Sequence, residues 1–64
     1  MAEELVGKRV KLLRNINTVG NFHFKKEHEF TIIRFHVDDF EYDLEDDCGR
    51  FLEYVTIHDF RIVD

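Results

Sequence analysis

The residues best suited to chemistry in this chain are the seven carboxylates between positions 38 and 47. Paired carboxylates can serve as general acid and base, and they can bind divalent cations. Their spacing does not fit a calcium-binding loop, and nothing in the sequence predicts the cleft that positions a catalytic carboxylate or changes its pKa. The alternation of Glu41, Asp43 and Glu45 predicts instead a solvated strand face that discourages edge pairing. The alternative is an acidic surface that binds a partner.

Histidine and cysteine are the other residue types that could bind a metal or act as nucleophiles, and the chain has four and one of them. His23 and His28 are separated by a predicted turn, and no histidine pair has the close spacing typical of zinc sites. Cys48 lies at a predicted turn tip, with Arg50 as its cationic neighbour and no general base identified. We therefore expect no metal, no cofactor and no enzymatic activity.

Positive charge is concentrated in the first half of the chain. Residues 1–37 contain seven Lys/Arg and four Glu, a net charge of +3, whereas residues 38–64 contain two Arg and ten Asp/Glu, a net charge of −8. The basic residues at positions 8–14, with Lys25 and Lys26, could contact phosphates while Phe22 and Phe24 stack on bases. The overall charge of −5 argues against this, since nucleic-acid-binding domains are usually basic.

The strands that position these side chains are predicted from hydrophobic periodicity. Residues 29–37 contain two alternating patterns whose phase changes at Ile32 and Ile33, which predicts one long strand with a bend or bulge. Asp38 and Asp39 predict a two-residue turn. The strand that follows is predicted to place three apolar side chains on one face: Phe40, Tyr42 and Leu44.

The next hairpin is predicted to turn at residues 47–49. Gly49 can supply the positive φ that the end of a three-residue loop requires. This register creates two apolar cross-strand pairs, Leu44 with Leu52 and Tyr42 with Tyr54. A four-residue loop would instead pair Leu44 with Phe51, so the register decides whether Phe51 or Leu52 is buried.

The rest of the chain supplies the outer elements. Residues 1–6 are predicted to form a helical turn or a frayed end, and residues 8–14 a first strand. Residues 15–21 are predicted to form a loop, and residues 22–24 an extended arm. Residues 25–28 predict a polar turn, residues 56–59 a single 3₁₀ turn and residues 60–63 a last strand. The predicted core comprises Val10, Leu12, Phe30, Ile32, Tyr42, Leu44, Leu52, Tyr54 and Ile62.

This order of elements resembles the Src-homology-3-like small barrel. The segments that carry the resemblance are GKRVKLL, FKKEHEFTII, FEYDLEDDCGRFLEYV and VTIHDFRIV, which together extend over residues 7–63. The resemblance implies an all-β, five-stranded barrel with a 3₁₀ turn before the last strand. The length of 64 residues predicts a single domain, residues 1–64. GKRVKLL is also similar to small bacterial and phage proteins of unassigned function, and to the KOW nucleic-acid-binding module. Since the chain has no Trp and no Pro, it lacks the groove residues with which peptide-binding members hold polyproline.

These observations predict a small non-enzymatic interaction or accessory module that binds a protein partner. We expect its surface to combine exposed aromatic and acidic side chains: Phe22, Phe24, Tyr54 and Phe60 beside Glu41, Asp43 and Glu45. The alternative is a KOW-like barrel that binds nucleic acid through its basic first strand. A third hypothesis is a homo-oligomer, since so short a chain buries only about 60% of its unfolded surface.

The sequence also predicts where the protein acts. The sequence contains no signal peptide and no apolar run long enough to span a bilayer, so we expect no membrane partner. A single cysteine excludes an intrachain disulfide and is typical of a reducing compartment. A cytoplasmic location is therefore expected.

Overall fold

The computed structural model describes residues 2–20 and 22–63, and of Ala2 and Glu3 only the backbone. The predicted turn at residues 1–6 and the predicted loop at residues 15–21 therefore lie partly outside the described residues. A short 3₁₀ helix, Ala2–Leu5, precedes seven strands. The strands are β1 (Arg9–Leu12), β2 (Ile16–Asn17), β3 (His23–Phe24), β4 (Glu29–His36), β5 (Glu41–Asp46), β6 (Phe51–Val55) and β7 (Phe60–Ile62). Within this part of the chain, no helix is long and apolar enough to cross a membrane.

The strands form a five-stranded antiparallel sheet in the order β6-β5-β4-β1-β7, and β2 pairs with β3 in a separate two-stranded sheet. In the large sheet Val10 lies opposite Phe30 on one side and Ile62 on the other. The all-β prediction is confirmed. Strand pairing among the described residues leaves β6 and β7 as edges and does not close the sheet into a barrel.

One cluster of apolar side chains forms the core, and it contains every predicted core residue except Tyr54 and Ile62. Ile62 is 39% exposed, because it lies on the edge strand β7 although it faces the same side as Val10. Tyr54 is 59% exposed and its place is taken by Val55. The buried residues are Val10, Leu12, Phe24, Phe30, Ile32, Tyr42, Leu44, Leu52, Val55 and Phe60.

The predicted bulge in the long strand is confirmed. Ile32 pairs with Leu44 and Arg34 pairs with Asp43, so Ile33 is the extra residue of β4. The bulge changes the phase of the alternation, so that Phe35 packs against the core while Ile33 is 39% exposed.

The turn between β4 and β5 is longer than predicted. His36 pairs with Glu41, as the two-residue turn requires, but strand pairing stops there and the turn occupies residues 37–40. Phe40 has a φ of 55° and its side chain is 69% exposed. The prediction that Phe40 belongs to the alternating strand with Tyr42 and Leu44 is therefore wrong, because β5 begins at Glu41 and the positive φ interrupts the alternation before it.

The hairpin between β5 and β6 has the predicted three-residue loop. The N–H of Asp46 donates to the carbonyl of Arg50 at 2.9 Å, and Gly49 has a φ of +81°. Leu44 pairs with Leu52 as predicted. The pairing between β5 and β6 then shifts by one residue. This shift is the reason that Tyr54 does not belong to the core.

A second bulge causes this shift. Tyr42 pairs with Val55, so the predicted pair of Tyr42 with Tyr54 is wrong, and Glu53 and Tyr54 both lie opposite Asp43. Tyr54 takes a φ of 60° at this point. Its ring stacks on His36 and is 59% exposed. The bulge therefore buries Val55 and exposes Tyr54.

Candidate functional site

The aromatic residues predicted to bind a partner divide into two groups. Phe22 is 46% exposed and Tyr54 is 59% exposed. Phe24 and Phe60 are buried, so the prediction that they lie on the surface is wrong. Phe24 packs edge-on against Phe30, and Phe60 packs in the same way against the ring of Tyr42.

The predicted acidic face is interrupted at its centre. Asp43 is only 5% exposed, which contradicts its predicted exposure, although it does point away from the core between Glu41 and Glu45. Asp43 Oδ1 accepts a hydrogen bond from the backbone N–H of Tyr54 at 3.2 Å. The same oxygen is 2.9 Å from His36 Nε2, an ion-pair distance without hydrogen-bond alignment. His36 and Tyr54 stack with ring centroids 4.8 Å apart and cover the carboxylate.

Five other carboxylates of this region make no hydrogen bond or ion pair with another described residue. They are Asp38, Asp39, Glu41, Glu45 and Glu53. Glu41 and Glu45 share the outer face of β5, and Glu53 lies next to them on β6. We call these last three residues the acidic patch. Uncompensated carboxylates on neighbouring strands give this side of the molecule a negative field.

Four of the five arginines, by contrast, are paired with carboxylates, and three of these four have partners from distant parts of the chain. On the first strand, Arg9 contacts Glu29 and Asp47, each at 3.0 Å. Hydrogen bonding to Asp47 and then to Glu29 raises the pKa of the Arg9 guanidinium, and the same bond lowers the pKa of Asp47. Three further pairs join Arg14 to Asp59, Arg50 to Asp46 and Arg61 to Glu27.

Four cations have no such partner among the described residues. They are Lys11, Lys25, Lys26 and Arg34. All of them precede residue 35, whereas the free carboxylates among the described side chains all follow residue 37. The charge asymmetry along the sequence therefore remains after the ion pairs are formed, although in the sheet Arg34 lies opposite Asp43, beside the acidic patch.

Asp46 is the most fully satisfied carboxylate of the molecule's described part. Its Oδ1 accepts from the N–H groups of Cys48 and Arg50 at 3.0 and 2.8 Å. Its Oδ2 contacts Arg50 Nε at 3.0 Å and His28 Nε2 at 3.1 Å. Burial acts to raise the pKa of Asp46, but the hydrogen bonds from Arg50, His28 and Cys48 outweigh it and lower the pKa. Asp46 thus stabilises the β5–β6 hairpin as an ionised group.

The remaining candidates for chemistry are dispersed. His23 Nδ1 contacts Asn17 Oδ1 at 2.7 Å, while His28 and His36 face different aspartates. Cys48 is exposed at the tip of the hairpin. Within residues 2–20 and 22–63, no three His, Cys, Asp or Glu side chains are grouped so that they could hold a metal ion.

A groove of about 500 Å³ lies between β6 and the long loop that joins β1 to β4, residues 13–28. Its lining comprises residues 14, 16–20, 22, 51–55 and 59. Phe22 and Tyr54, the two predicted aromatics that are exposed, both line it. We call this feature the loop groove.

The loop groove contains residues that sequence reasoning did not assign to a site. Val19 on the loop is fully exposed, and Phe51 on β6 is 51% exposed. Glu53 places one carboxylate of the acidic patch in the lining. The exposure of Phe51 could have been predicted from the register that pairs Leu44 with Leu52, because this register places the Phe51 ring on the face away from the core.

The chain matches no protein-family model, and no curated protein and no solved structure shows significant similarity to it. Its function is therefore inferred from three features: the loop groove, the acidic patch and the exposed aromatic side chains.

Proposed function

We propose that this protein is a non-enzymatic interaction module with a Src-homology-3-like small barrel fold. It binds a cationic segment of a protein partner through the acidic patch and the loop groove. The observation that carries this proposal is the acidic patch: its three carboxylates have no partner among the described residues, and one of them, Glu53, also lines the loop groove.

The order of the strands supports the proposed fold. A long loop joins β1 to β4, three consecutive strands form a meander, and a hydrogen-bonded turn at residues 56–59 precedes the last strand. That turn is closed by the N–H of Asp59, which donates to the carbonyl of Thr56 at 2.9 Å. This is the order of elements that the resemblance implies.

Charge and exposed aromatics support the proposed partner. Complementary charge accelerates association and disfavours wrong partners, so a carboxylate-rich face selects cationic segments. Aromatic side chains at protein interfaces contribute a large share of the binding energy. Phe22 and Phe51 line the loop groove together with Glu53, and both are about half exposed. The exposed ring of Tyr54 stacks on His36 above β5.

The nucleic-acid alternative receives less support. Of the cations that it would use, Arg9 and Arg14 are held in ion pairs with Asp47 and Asp59. Only the lysines Lys11, Lys25 and Lys26 are free of such pairs among the described residues. The alternative also requires Phe24 on the surface, and that ring is buried. We further propose a cytoplasmic location, which the single free cysteine supports.

The test is an affinity capture from host lysate with the tagged protein, with and without nuclease, followed by mass spectrometry. The test variant is Glu41→Lys/Glu45→Lys/Glu53→Lys, which reverses the acidic patch and leaves buried Asp43 in place. The control variant is Lys11→Glu/Lys25→Glu/Lys26→Glu, which changes as many charges on the basic side.

We expect protein partners that survive nuclease, bind the control variant and are lost from the test variant. Thermal unfolding of each variant verifies that it is folded. A capture that is unchanged by reversal of the acidic patch contradicts the proposal, and a capture that nuclease removes supports the nucleic-acid alternative.

A further inference from the structure

We propose that the partner segment docks in the loop groove as an added β-strand on the free edge of β6, and that it carries alternating cationic and apolar side chains. This inference rests on the proposed function, and it specifies both the binding mode and the chemistry of the segment. Strand addition to an exposed sheet edge is a general mode of peptide recognition, with main-chain hydrogen bonds supplemented by side-chain pockets.

The first support is the position of β6 in the sheet. Among the described strands, β6 pairs with β5 alone. Every residue of β6 lines the loop groove and no residue of β5 does. The groove therefore lies on the unpaired side of β6, where backbone groups lack a strand partner.

The pairing register identifies which backbone groups face the groove. Asp46 and Arg50 form a hydrogen-bonded pair, since the N–H of Asp46 donates to the carbonyl of Arg50. Hydrogen-bonded and non-bonded pairs alternate in an antiparallel ladder, so the next pair, Glu45 with Phe51, is non-bonded. The N–H and C=O of Phe51 consequently point away from β5, into the groove.

The side chains around this edge determine the occupant. Val19 and Phe22 are exposed in the part of the lining that lies on the loop, so apolar side chains of an added strand find apolar surface there. Alternate side chains of that strand would point toward the carboxylate of Glu53, which has no partner among the described residues. A partner strand with cationic residues at those alternate positions therefore complements the carboxylate on one face and the apolar surface on the other.

Charge also excludes a second copy of this chain as the occupant. Pairing of β6 with β6 of another molecule would bring two acidic patches together, and like charges across strands are destabilising. The bulge at Glu53 and Tyr54 reinforces this, because it interrupts the edge after Phe51 and Leu52 and permits only a short pairing. A short partner strand fits this edge better than a long self-complementary one.

The experiment uses a synthetic heptapeptide of alternating lysine and valine, acetylated and amidated, added to the ¹⁵N-labelled full chain at low salt. Amide exchange at Phe51 and the dissociation constant are both measured. Two further peptides carry N-methyl groups on every valine or on every lysine, which removes the hydrogen-bond donors along one edge at a time. A glutamate–valine heptapeptide is the charge control.

We expect exchange at the Phe51 amide to slow at least tenfold at saturation. One of the two N-methylated peptides should bind at least tenfold more weakly than the parent, and the glutamate–valine peptide should not bind. Glu53→Lys should weaken binding of the parent peptide, and Asp39→Lys, in the turn outside the groove, should weaken it much less.

Equal binding by both N-methylated peptides, with unchanged exchange at Phe51, overturns strand addition and leaves the proposed function standing as electrostatic capture. Absence of binding by the lysine–valine peptide also overturns the inference. The proposed function is then decided separately by the captures with the charge-reversed variants.

Discussion

The carboxylate of Asp43 accepts the backbone N–H of Tyr54 across the bulge between β5 and β6, at 3.2 Å. The bulge removes this N–H from the regular ladder, and the side chain replaces the lost acceptor. An acidic side chain in the middle of a carboxylate-rich strand therefore has a structural role, while Glu41 and Glu45 on either side remain free for a partner.

Asp43→Ala should lower the free energy of unfolding by about 2 kcal/mol, because it leaves a partly buried N–H without an acceptor. Urea denaturation at neutral pH measures this. Glu45→Ala is the matched control on the same strand and face, and its effect should stay within about 0.5 kcal/mol. Equal effects of the two substitutions would show that the Asp43 contact contributes nothing.

Asp46 should make stability depend on pH in the acid range. Its pKa is lowered from 3.8 in the folded protein, so its contribution is complete above the unfolded pKa and is lost as pH falls through the folded value. Urea denaturation from pH 7 down to pH 2 should show this loss. Asp46→Asn should cost about 2 kcal/mol at neutral pH and make the acid dependence shallower.

The pH profile has an internal control in Asp47→Asn. Asp47 also has a lowered pKa, but its bond to Arg9 is at the exposed surface. We expect this variant to remain close to the parent at neutral pH, since surface ion pairs contribute little. An Asp46→Asn profile as steep as that of the parent would contradict the assignment.

The hairpin loop should be sensitive to the loss of one glycine. Gly49 has a φ of +81°, and a Cβ there meets no atom within 4 Å, so the cost of Gly49→Ala is backbone strain alone. We expect a loss of about 1 kcal/mol in thermal or urea unfolding. Gly20→Ala, where a Cβ makes only ordinary contacts at 3.9 Å or more, should not lose stability.

In the turn before β5, glycine should be more stable than alanine at the position of Phe40. Phe40 holds a φ of 55°, a region that glycine adopts without strain, so Phe40→Gly should be more stable than Phe40→Ala by about 1 kcal/mol. Val37, in the same turn, provides the comparison: its φ is not in that region, so Val37→Ala should be more stable than Val37→Gly. The same order at both positions would disprove a left-handed Phe40.

Local patterns in the sequence were sufficient for most of the fold. The phase change at Ile32 and Ile33 predicted the first bulge, and Gly49 predicted the three-residue loop, because both signals lie within a few residues of the feature. The second bulge has no such signal. It depends on Asp43 being available to accept the N–H of Tyr54, which is a contact between strands.

The candidate site was less predictable for the same reason. Phe22 and Phe24 are equally apolar and two residues apart, yet the loop geometry buries one and exposes the other. The free acidic residues could be assigned only after the ion pairs were known, since Asp46, Asp47 and Asp59 are taken up by arginines. Composition alone does not distinguish a carboxylate that holds the fold together from one that is free to bind.

The ion pairs also have a kinetic consequence. Arg9 and Asp47 are 38 residues apart, Arg14 and Asp59 are 45 apart, and Glu27 and Arg61 are 34 apart. Contacts between such distant segments form only after the strands between them have paired. A contact that is absent from the folding transition state changes the unfolding rate and leaves the folding rate nearly unchanged. Added salt, which screens these pairs, should accelerate unfolding in stopped-flow experiments and leave refolding nearly unchanged. The arginines then determine how long the folded molecule persists rather than how fast it is reached.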